Sequence, residues 1–345
     1  MSVSVLELDR IVKTYPAARG LLGRGRRRVT VLDHVSITVE EGETVAVVGE
    51  SGAGKSTLGR IALNLIRPDS GRTVVAGQDL GALSATQLRR YRGVMQMVFQ
   101  DPYASFDPMV SLEDAVCEPL LLHTSMSRAE RRREALRLME RVGIRAEQAR
   151  RFPNELSGGQ LQRVAIARAL ATRPKVIVCD EPVASLDASV RAHVLNQFRE
   201  IQAEDRVSYL FISHDLSLVG ALADRVAVMY SGTVVEQGST KEFFAQPMHP
   251  YSRRLLESVP EPDPTRRRLR LVDGALDAAA PVADGCVFRH RCPDAIDACR
   301  VAPTLLPTAH GGMVACHLAS SVPVRAQDPR SLQQDNGPAP DLGPW

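Results

Sequence analysis

The chain has 345 residues, 44% of them hydrophobic and 24% charged, with a formal net charge of +3. This composition is typical of a globular protein with a large core and enough length for two domains. The small net charge and the scarcity of aromatic residues argue against nucleic acid as a partner. No run of about eighteen apolar residues predicts a membrane span, and the chain begins without a secretory signal pattern. We therefore expect a cytosolic protein whose six cysteines stay reduced or bind metal.

The segment GESGAGKST at 49–57 fits the phosphate-loop pattern G-x-x-x-x-G-K-[ST]. An apolar, β-branched run precedes it and a helical run follows it, which is the context that this motif needs. Its glycines allow a tight turn that points backbone N–H groups at phosphate oxygens. Lys55 can reach the β and γ phosphates, and the Ser56 hydroxyl can bind Mg²⁺. The predicted phosphate-binding residues are Gly49, Glu50, Ser51, Gly52, Ala53, Gly54, Lys55, Ser56 and Thr57.

Segments with strand and helix patterns alternate along most of the chain, and residues 3–12 predict an edge strand. This alternation predicts an α/β fold with a mainly parallel sheet and helices on both faces. Near Pro247 proline becomes frequent and periodicity weakens, which indicates a domain boundary. The expected parts are an ATP-binding domain at 1–245 with a helical subdomain at about 101–171, a loop-rich extension at 246–320, and a disordered tail at 321–345.

Further polar residues follow the phosphate loop at the ends of predicted strands. Asp180 and Glu181 end an apolar strand, where Asp180 would hold Mg²⁺ and Glu181 would polarise an attacking water. Gln100 and His214 also end strands, although either residue alone is weak evidence. The run SGGQ at 157–160 opens a helix and predicts a second anion site. One triphosphate needs only one phosphate loop, so this second site suggests a composite site.

These motifs, in this order, resemble those of an ABC-type ATPase subunit, and the match covers residues from about 5 to 245. The resemblance implies a P-loop NTPase ABC nucleotide-binding domain with an N-terminal antiparallel β part and a helical signature subdomain. It implies ATP and Mg²⁺ as cofactors, with Tyr15 stacking on adenine. Glu181 would be the general base, His214 the switch histidine, and Gln100 the Q-loop residue. The Mg²⁺ ligands implied are Ser56, Gln100 and Asp180.

The resemblance also implies a head-to-tail pair of such domains, with ATP between the phosphate loop of one and the signature of the other. The signature residues that would serve the partner's ATP are Ser157, Gly158, Gly159 and Gln160. The D-loop, with Asp187, matches residues 185–187.

A finer resemblance is to ATPase subunits of oligopeptide and dipeptide importers. It rests on the insertion at 16–28, the run MVFQDPYASFDP at 97–108, and the tail after 245. It implies a second ABC ATPase subunit in a heterodimer, two integral membrane permeases and an external solute-binding protein. The permeases would dock in a groove at about 100–115, which places the chain peripherally on the cytoplasmic face of the plasma membrane.

Four cysteines, Cys286, Cys292, Cys299 and Cys316, lie in the loop-rich extension. Four thiols in a cytosolic segment indicate a metal or iron–sulfur site, and their spacing does not match a zinc ribbon. The importer resemblance implies a [4Fe–4S] cluster, which we favour over zinc and over buried free thiols.

The sequence therefore predicts an ATP-hydrolysing subunit of a bacterial peptide importer. An importer of nickel, glutathione or a sugar is the alternative within the class. A soluble ABC ATPase of DNA repair or translation is a further alternative, but the chain has one cassette and no heptad arm. A third alternative makes the extension a redox module to which ATP is secondary.

Overall fold

The computed structural model describes residues 4–16, 28–184, 186–258, 284–308 and 311–319. The predicted tail at 321–345 and nearly all of the insertion at 16–28 lie outside the described residues, as does Ser185 of the D-loop. Within the described ranges, none of the helices combines the length and the hydrophobicity that crossing a membrane requires.

The N-terminal part is an antiparallel sheet in the order β2-β1-β4-β5. Its strands are β1 (Ser4–Pro16), β2 (Arg28–Glu40), β4 (Ser70–Val75) and β5 (Gln78–Asp79). The prediction of an edge strand at 3–12 was wrong, because β1 pairs with β2 on one side and β4 on the other. Alternation in β1 reports that one face is buried, as at Leu6 and Leu8, but it carries no information on the number of neighbouring strands.

The main sheet has the order β11-β12-β10-β9-β3-β8-β7-β6. The strands from β9 to β6 are parallel, whereas β10, β11 and β12 add antiparallel pairs at the opposite end. Their bounds are β3 (Thr44–Val48), β6 (Met95–Val98), β7 (Val176–Asp180), β8 (Ser208–Ile212), β9 (Arg225–Tyr230), β10 (Thr233–Ser239), β11 (Leu306–Pro307) and β12 (Met313–Val314). Strands β3, β7 and β8 are buried at every position, as their continuous apolar runs predict.

Helices cover both faces of this sheet, so the predicted α/β class is confirmed. The described helices are α1 (Lys55–Ala62), α2 (Ala85–Tyr91), α3 (Leu112–His123), α4 (Arg128–Arg141), α5 (Gly158–Leu170), α6 (Ala188–Asp205), α7 (Leu216–Leu222), α8 (Thr240–Ala245) and α9 (Pro250–Glu257). Helices α3, α4 and α5 pack against one another and form the helical subdomain. The capping box predicted for Ser127 and Glu130 opens α4.

The described part of the extension packs on the main sheet and shares its core. Strand β12 pairs with β10, and Phe288 is buried in one hydrophobic cluster with Ala46 and Val48 of β3. Phe288 also contacts the rings of Tyr230 and Tyr251 at centroid distances of 5.1 and 5.4 Å. The boundary at 245 stays a prediction, and these contacts join the two sides of it into one core.

Candidate nucleotide-hydrolysis site

The predicted phosphate loop connects β3 to α1. Gly54 is the N-cap of α1 with φ 95°, a left-handed conformation that glycine adopts without strain. A Cβ on Gly54 would lie 2.6 Å from the Val31 carbonyl oxygen of β2, so glycine is also required by the close packing. The helix therefore begins without a side-chain cap, and its first N–H groups are available to an anion.

The Lys55 side chain folds back over this loop and is buried. Its Nζ donates hydrogen bonds to the carbonyl oxygens of Gly49 and Glu50 at 2.7 and 2.8 Å. Burial lowers the pKa of Lys55, while the carboxylates of Glu181 and Asp180 act in the opposite direction. An ammonium group in this position offers donors to a phosphate that enters the loop.

The Ser56 hydroxyl donates to Asp180 Oδ1 at 2.9 Å, which joins the start of α1 to the end of β7. Asp180 is buried, and burial raises the pKa of its carboxyl group. A buried carboxylate beside a hydroxyl is a ligand pair that suits Mg²⁺, which prefers oxygen ligands and would offset the cost of burying the charge. The residues present therefore fit the predicted ion.

Glu181, Gln100 and His214 come together one residue beyond Asp180. Gln100 Nε2 donates to Glu181 Oε2 at 3.1 Å, and His214 Nδ1 lies 3.2 Å from Glu181 Oε1. The backbone of Glu181 has φ 48°, an uncommon conformation for a residue with a side chain, and its N–H donates to the Ile212 carbonyl of β8. Backbone strain of this kind is found at functional sites, where the surrounding structure holds it in place.

This assembly follows from the sheet. Gln100, Asp180 and His214 follow or end the neighbouring parallel strands β6, β7 and β8, and the phosphate loop follows β3. The carboxyl ends of parallel strands lie at one edge, where α/β proteins bind ligands. The sequence-predicted catalytic residues are thus brought to one place.

Other predicted residues lie apart from this cluster. Tyr15, near the end of β1, pairs with Val29 of β2. Val29 lies two positions before Val31, which packs closely against Gly54 of the phosphate loop. Asp187 is exposed at the start of α6. Across the described chain, no hydrogen bond or ion pair joins the signature at 156–160 to the loop at 49–57.

The signature forms the start of α5. Ser157 accepts a hydrogen bond from the Gln160 N–H at 3.3 Å, and the Gln160 side chain accepts from the Ser157 N–H at 3.1 Å. Gly158 follows as the first helical residue. A Cβ on Gly159 would lie 2.4 Å from a Val190 side-chain carbon, so this glycine lets α5 approach α6.

Three residues near the loop were missed by sequence reasoning. Arg291 donates two hydrogen bonds to the Glu50 carboxylate. The Tyr230 hydroxyl accepts a further one from Arg291, and the Tyr251 hydroxyl accepts from the Glu50 N–H. Arg291 lies 241 positions from Glu50 in the sequence. No local pattern marks a contact over that distance, although Arg291 is adjacent to Cys292 in the segment that was predicted to bind metal.

The four cysteines of the extension are unpaired, and three of them belong to or pack against the same core. Cys286 and Cys299 are buried with Phe288, and Cys292 packs against that cluster. Burial raises the pKa of both Cys286 and Cys292, and repulsion from the Cys316 thiol acts in the same direction on each. Nevertheless, the described residues contain no group of three or more Cys, His, Asp or Glu side chains that could hold a metal ion as they stand. The predicted [4Fe–4S] ligand set is therefore not assembled in this structure.

A phosphate loop, carboxylates at the end of another parallel strand of the same sheet and a separate SGGQ helix define an ATP-hydrolysing cassette of the ABC type. The ABC transporter family model matches residues 32–184, and the model of the oligopeptide/dipeptide transporter C-terminal region matches residues 235–299. The chain belongs to the family of ABC transporter ATP-binding proteins and is an ATPase that binds ATP.

Similar curated proteins extend over nearly the whole chain. A probable peptide ABC transporter ATP-binding protein of Sinorhizobium fredii is 42% identical over 96% of this chain and 95% of its own length. A di/tripeptide transport ATP-binding protein of Pseudomonas aeruginosa is 43% identical over 92% of this chain and 98% of its own. An oligopeptide transport ATP-binding protein of Bacillus subtilis is 42% identical with the same coverage.

Solved structures resemble the cassette part. The ATP-binding cassette MJ0796, solved as a dimer in a post-hydrolysis state with ADP and Pi, matches with a TM-score of 0.61 and 29% identity over 68% of this chain and 98% of its own. The protein cbiO1 of Clostridium perfringens, part of an ABC transporter complex, matches with a TM-score of 0.61 and 28% identity over 70% and 91%.

Proposed function

We propose that this chain is the ATP-hydrolysing subunit that drives a bacterial importer of dipeptides or oligopeptides. The observation that carries this proposal is the combination of an ABC cassette with a C-terminal region of the oligopeptide/dipeptide transporter type. Relatives named for peptide transport, at about 42% identity over almost the full length, support it. The composition and the small net charge give no reason to add nucleic acid as a partner.

The chemistry that we propose is attack of water on the γ-phosphate of ATP. Glu181 accepts the proton of that water, Gln100 and His214 hold the two oxygens of the Glu181 carboxylate, and His214 would also contact the γ-phosphate. Ser56 and Asp180, together with Gln100, would hold Mg²⁺, which supplies charge neutralisation on the phosphates when bound.

We propose that the complete site needs a second ABC ATPase subunit. The signature makes no polar contact with its own phosphate loop in the described chain, which agrees with a role at a partner's ATP. The dimeric state in which the similar cassette MJ0796 was solved, bound to ADP and Pi, supports pairing of two cassettes. Whether the partner is a different chain, as the importer resemblance implies, is tested by purification of the complex.

The surface of the helical subdomain supports docking of permeases. A cavity of about 430 Å³ lies along residues 105–115, where the groove was predicted, and a neighbouring one of about 280 Å³ includes Phe99 and Leu122. Leu121 lines the larger cavity and Leu122 the smaller one, and both side chains are exposed, as is Met109 at 82%. Exposed apolar side chains beside the charged lining of the larger cavity would suit contact with another protein. Two permeases docked here, fed by an external solute-binding protein, would place the chain at the cytoplasmic face of the membrane.

For the extension we propose a [4Fe–4S] cluster on Cys286, Cys292, Cys299 and Cys316. Proximity of the thiols supports it, and the unassembled ligand set argues against it. Binding would require the loops to move the four sulfur atoms to one centre. Anaerobically purified protein with stoichiometric iron and sulfide would establish the cluster, and protein without either would exclude it.

The transported solute is tested in the intact complex. Reconstituted with its permeases and binding protein, the complex should hydrolyse ATP faster when dipeptides or oligopeptides are added than when nickel, glutathione or a sugar is added. Stimulation by one of the other solutes alone would replace peptide import by that cargo. Failure to copurify with any integral membrane protein would favour the soluble ABC ATPase, and a redox response without ATP dependence would favour the redox module.

The catalytic assignment is tested by Glu181→Gln. Loss of the general base should reduce the rate of hydrolysis by about 10²–10⁴ while ATP still binds. Glu41→Gln, which alters an exposed glutamate before β3, is the control and should leave the rate unchanged. Full turnover in the Glu181→Gln variant would exclude Glu181 as the base.

A further inference from the structure

Glu50, the second residue of the phosphate loop, has each of its polar groups held by another residue. Its backbone N–H donates to the Tyr251 hydroxyl at 2.8 Å, and its carbonyl oxygen accepts from Lys55 Nζ. Its carboxylate accepts two hydrogen bonds from the Arg291 guanidinium, at 2.9 and 3.0 Å. Two of these three partners follow residue 245, so the extension fixes the loop directly.

Arg291 is itself held in place. Its N–H donates to the Phe288 carbonyl, its guanidinium donates to the Tyr230 hydroxyl at 3.2 Å, and the same group lies 5.7 Å from the centre of the Tyr230 ring. The rings of Tyr230 and Tyr251 meet edge to face at 4.7 Å. A planar fork that is oriented before binding loses little entropy on forming the bidentate pair with Glu50.

The pair is shielded enough for its energy to matter. The side chains of Arg291 and Glu50 are 26% and 31% exposed, which places them between a solvated surface pair and a buried one. The flanking Gly49 and Gly52 both have positive φ, so the backbone on either side of Glu50 is otherwise permissive. Holding Glu50 therefore adds a restraint to a glycine-rich segment whose backbone no side chain of its own restricts at Gly49 and Gly52.

The extension does not need this pair in order to dock. Strand β12 pairs with β10, the Ala315 N–H donates to the Val235 carbonyl at 2.8 Å, and Phe288 lies in the shared core. A bond that only fastened the extension would duplicate these contacts. The location of the pair on the phosphate loop calls for a different explanation.

We propose that Arg291 is a positioning residue for ATP binding, through which the C-terminal extension holds the phosphate loop in its binding conformation. A loop that is already in this conformation binds ATP more tightly, because it does not lose the entropy of ordering at that moment. The inference depends on ATP binding by the cassette and is independent of which solute is transported.

The first test is Arg291→Ala in the full chain, with ATP affinity measured by fluorescent-nucleotide titration and hydrolysis measured in the assembled complex. We expect the Kd and the KM for ATP to rise about five- to tenfold, with kcat within about twofold of the wild type. Arg291→Lys keeps the charge but loses the fork, so it should restore part of the affinity. The control is Arg300→Ala, which removes an exposed arginine that pairs with Asp297 inside the extension and should change neither constant.

The second test is Glu50→Gln, which serves also if Arg291→Ala does not fold. Removing a negative charge beside the phosphates would by itself favour ATP, so Coulomb effects alone predict a lower KM. Loss of positioning predicts a higher KM, and the sign of the change separates the two. An unchanged or lower KM in Glu50→Gln, or wild-type ATP affinity in Arg291→Ala with only a lower Tm, would overturn the proposal.

Discussion

Two helices of this chain begin with glycine-rich sequences, and their first turns differ in what satisfies the backbone N–H groups. Helix α1 begins after Gly54 and has no side-chain cap. Helix α5 begins after Ser157 with a complete capping box, in which Ser157 and Gln160 satisfy each other's N–H groups. The first helix start is therefore open to a ligand, whereas at the second the N–H groups of Ser157 and Gln160 are already satisfied in the single chain.

The difference shows how one chain can contribute two unlike halves of an ATP site. In the loop before α1, three side chains each hold one polar group of Glu50, namely those of Lys55, Tyr251 and Arg291. At the start of α5, the Ser157 and Gln160 N–H groups are satisfied within the first turn of the helix itself. In this cap Ser157 Oγ accepts from the Gln160 N–H, so its O–H can still donate to a phosphate that a partner presents.

Among the variants that compare the two helix starts, the largest expected effect is on the open half, which is the phosphate loop and the start of α1. Lys55→Ala removes the buried ammonium group that donates to the loop carbonyls and would reach the phosphates. We expect ATP hydrolysis to fall by about 10²–10³, by analogy with the loss of one charge-stabilising donor. The measurement is hydrolysis and nucleotide binding by the purified complex. The matched control is Lys175→Ala, an exposed lysine paired with Glu41, and wild-type turnover in Lys55→Ala would contradict the proposed site.

The open half was also the part that the sequence predicted best. Strand, glycine loop and helix are adjacent in the chain, and the ends of β6, β7 and β8 converge because parallel strands share a direction. Local patterns predicted that Gln100, Asp180 and His214 lie at strand ends, and the resemblance to ABC ATPases assigned all three to one ATP site. The strained backbone at Glu181 could not be predicted, because it depends on a hydrogen bond to Ile212 in the neighbouring strand.

A smaller effect is expected on the capped half, which is the signature at the start of α5. Ser157→Ala removes the cap of α5 and the hydroxyl proposed to serve the partner's ATP. Hydrolysis by the complex should fall roughly ten- to hundredfold, because a hydrogen bond to a charged phosphate contributes roughly 1.5–3 kcal/mol. ATP affinity of the isolated chain should not change, since the described signature makes no polar contact with its own loop.

The control for this variant comes from the same chain. Ser127→Ala removes a capping box of the same kind from α4, so it carries the same cost to a helix, about 1 kcal/mol, without a nucleotide role. If both variants reduced hydrolysis equally, helix stability would explain the loss. If Ser157→Ala weakened ATP binding in the isolated chain, the signature would act on ATP in its own chain. That result would contradict the proposal that it serves a partner's ATP.

Long-range contacts of the extension are what the sequence could not predict. The contact between Arg291 and Glu50 has no local signature, and the pairing of β12 with β10 involves two-residue and seven-residue strands far apart in the chain. The cysteine pattern marked the segment that contacts the phosphate loop, but it predicted a metal site there and not the contact of Arg291 with Glu50. The described cysteines gather without forming a metal-binding group, while the arginine between them contacts the ATP loop.

The smallest effect on hydrolysis is expected from the pH dependence of stability. It arises at His249, whose contacts lead through Tyr251 to Glu50 in the loop before α1. His249 is 1% exposed and caps α9 by accepting the Tyr251 N–H, and Tyr251 in turn accepts the Glu50 N–H. Burial, aided by the nearby Arg253, lowers the pKa of His249 to about 4. The unfolded chain takes up the proton near the ordinary pKa of about 6.5, so this contribution to stability is complete above pH 6.5. It is lost as the pH falls toward 4.

The variant His249→Asn keeps an N-cap acceptor and removes the titration. We expect the wild type to lose on the order of 3 kcal/mol more unfolding free energy than this variant between pH 7 and pH 4. Denaturant unfolding at a series of pH values measures the difference, and His290→Asn, at an exposed position in the same extension, should follow the wild type. Parallel curves for wild type and His249→Asn would mean that the acid sensitivity lies elsewhere. If ATP affinity instead fell as His249 became protonated, with no change at the capped start of α5, protonation at the start of α9 would be coupled to the phosphate loop. Tyr251 and Glu50 would carry that coupling.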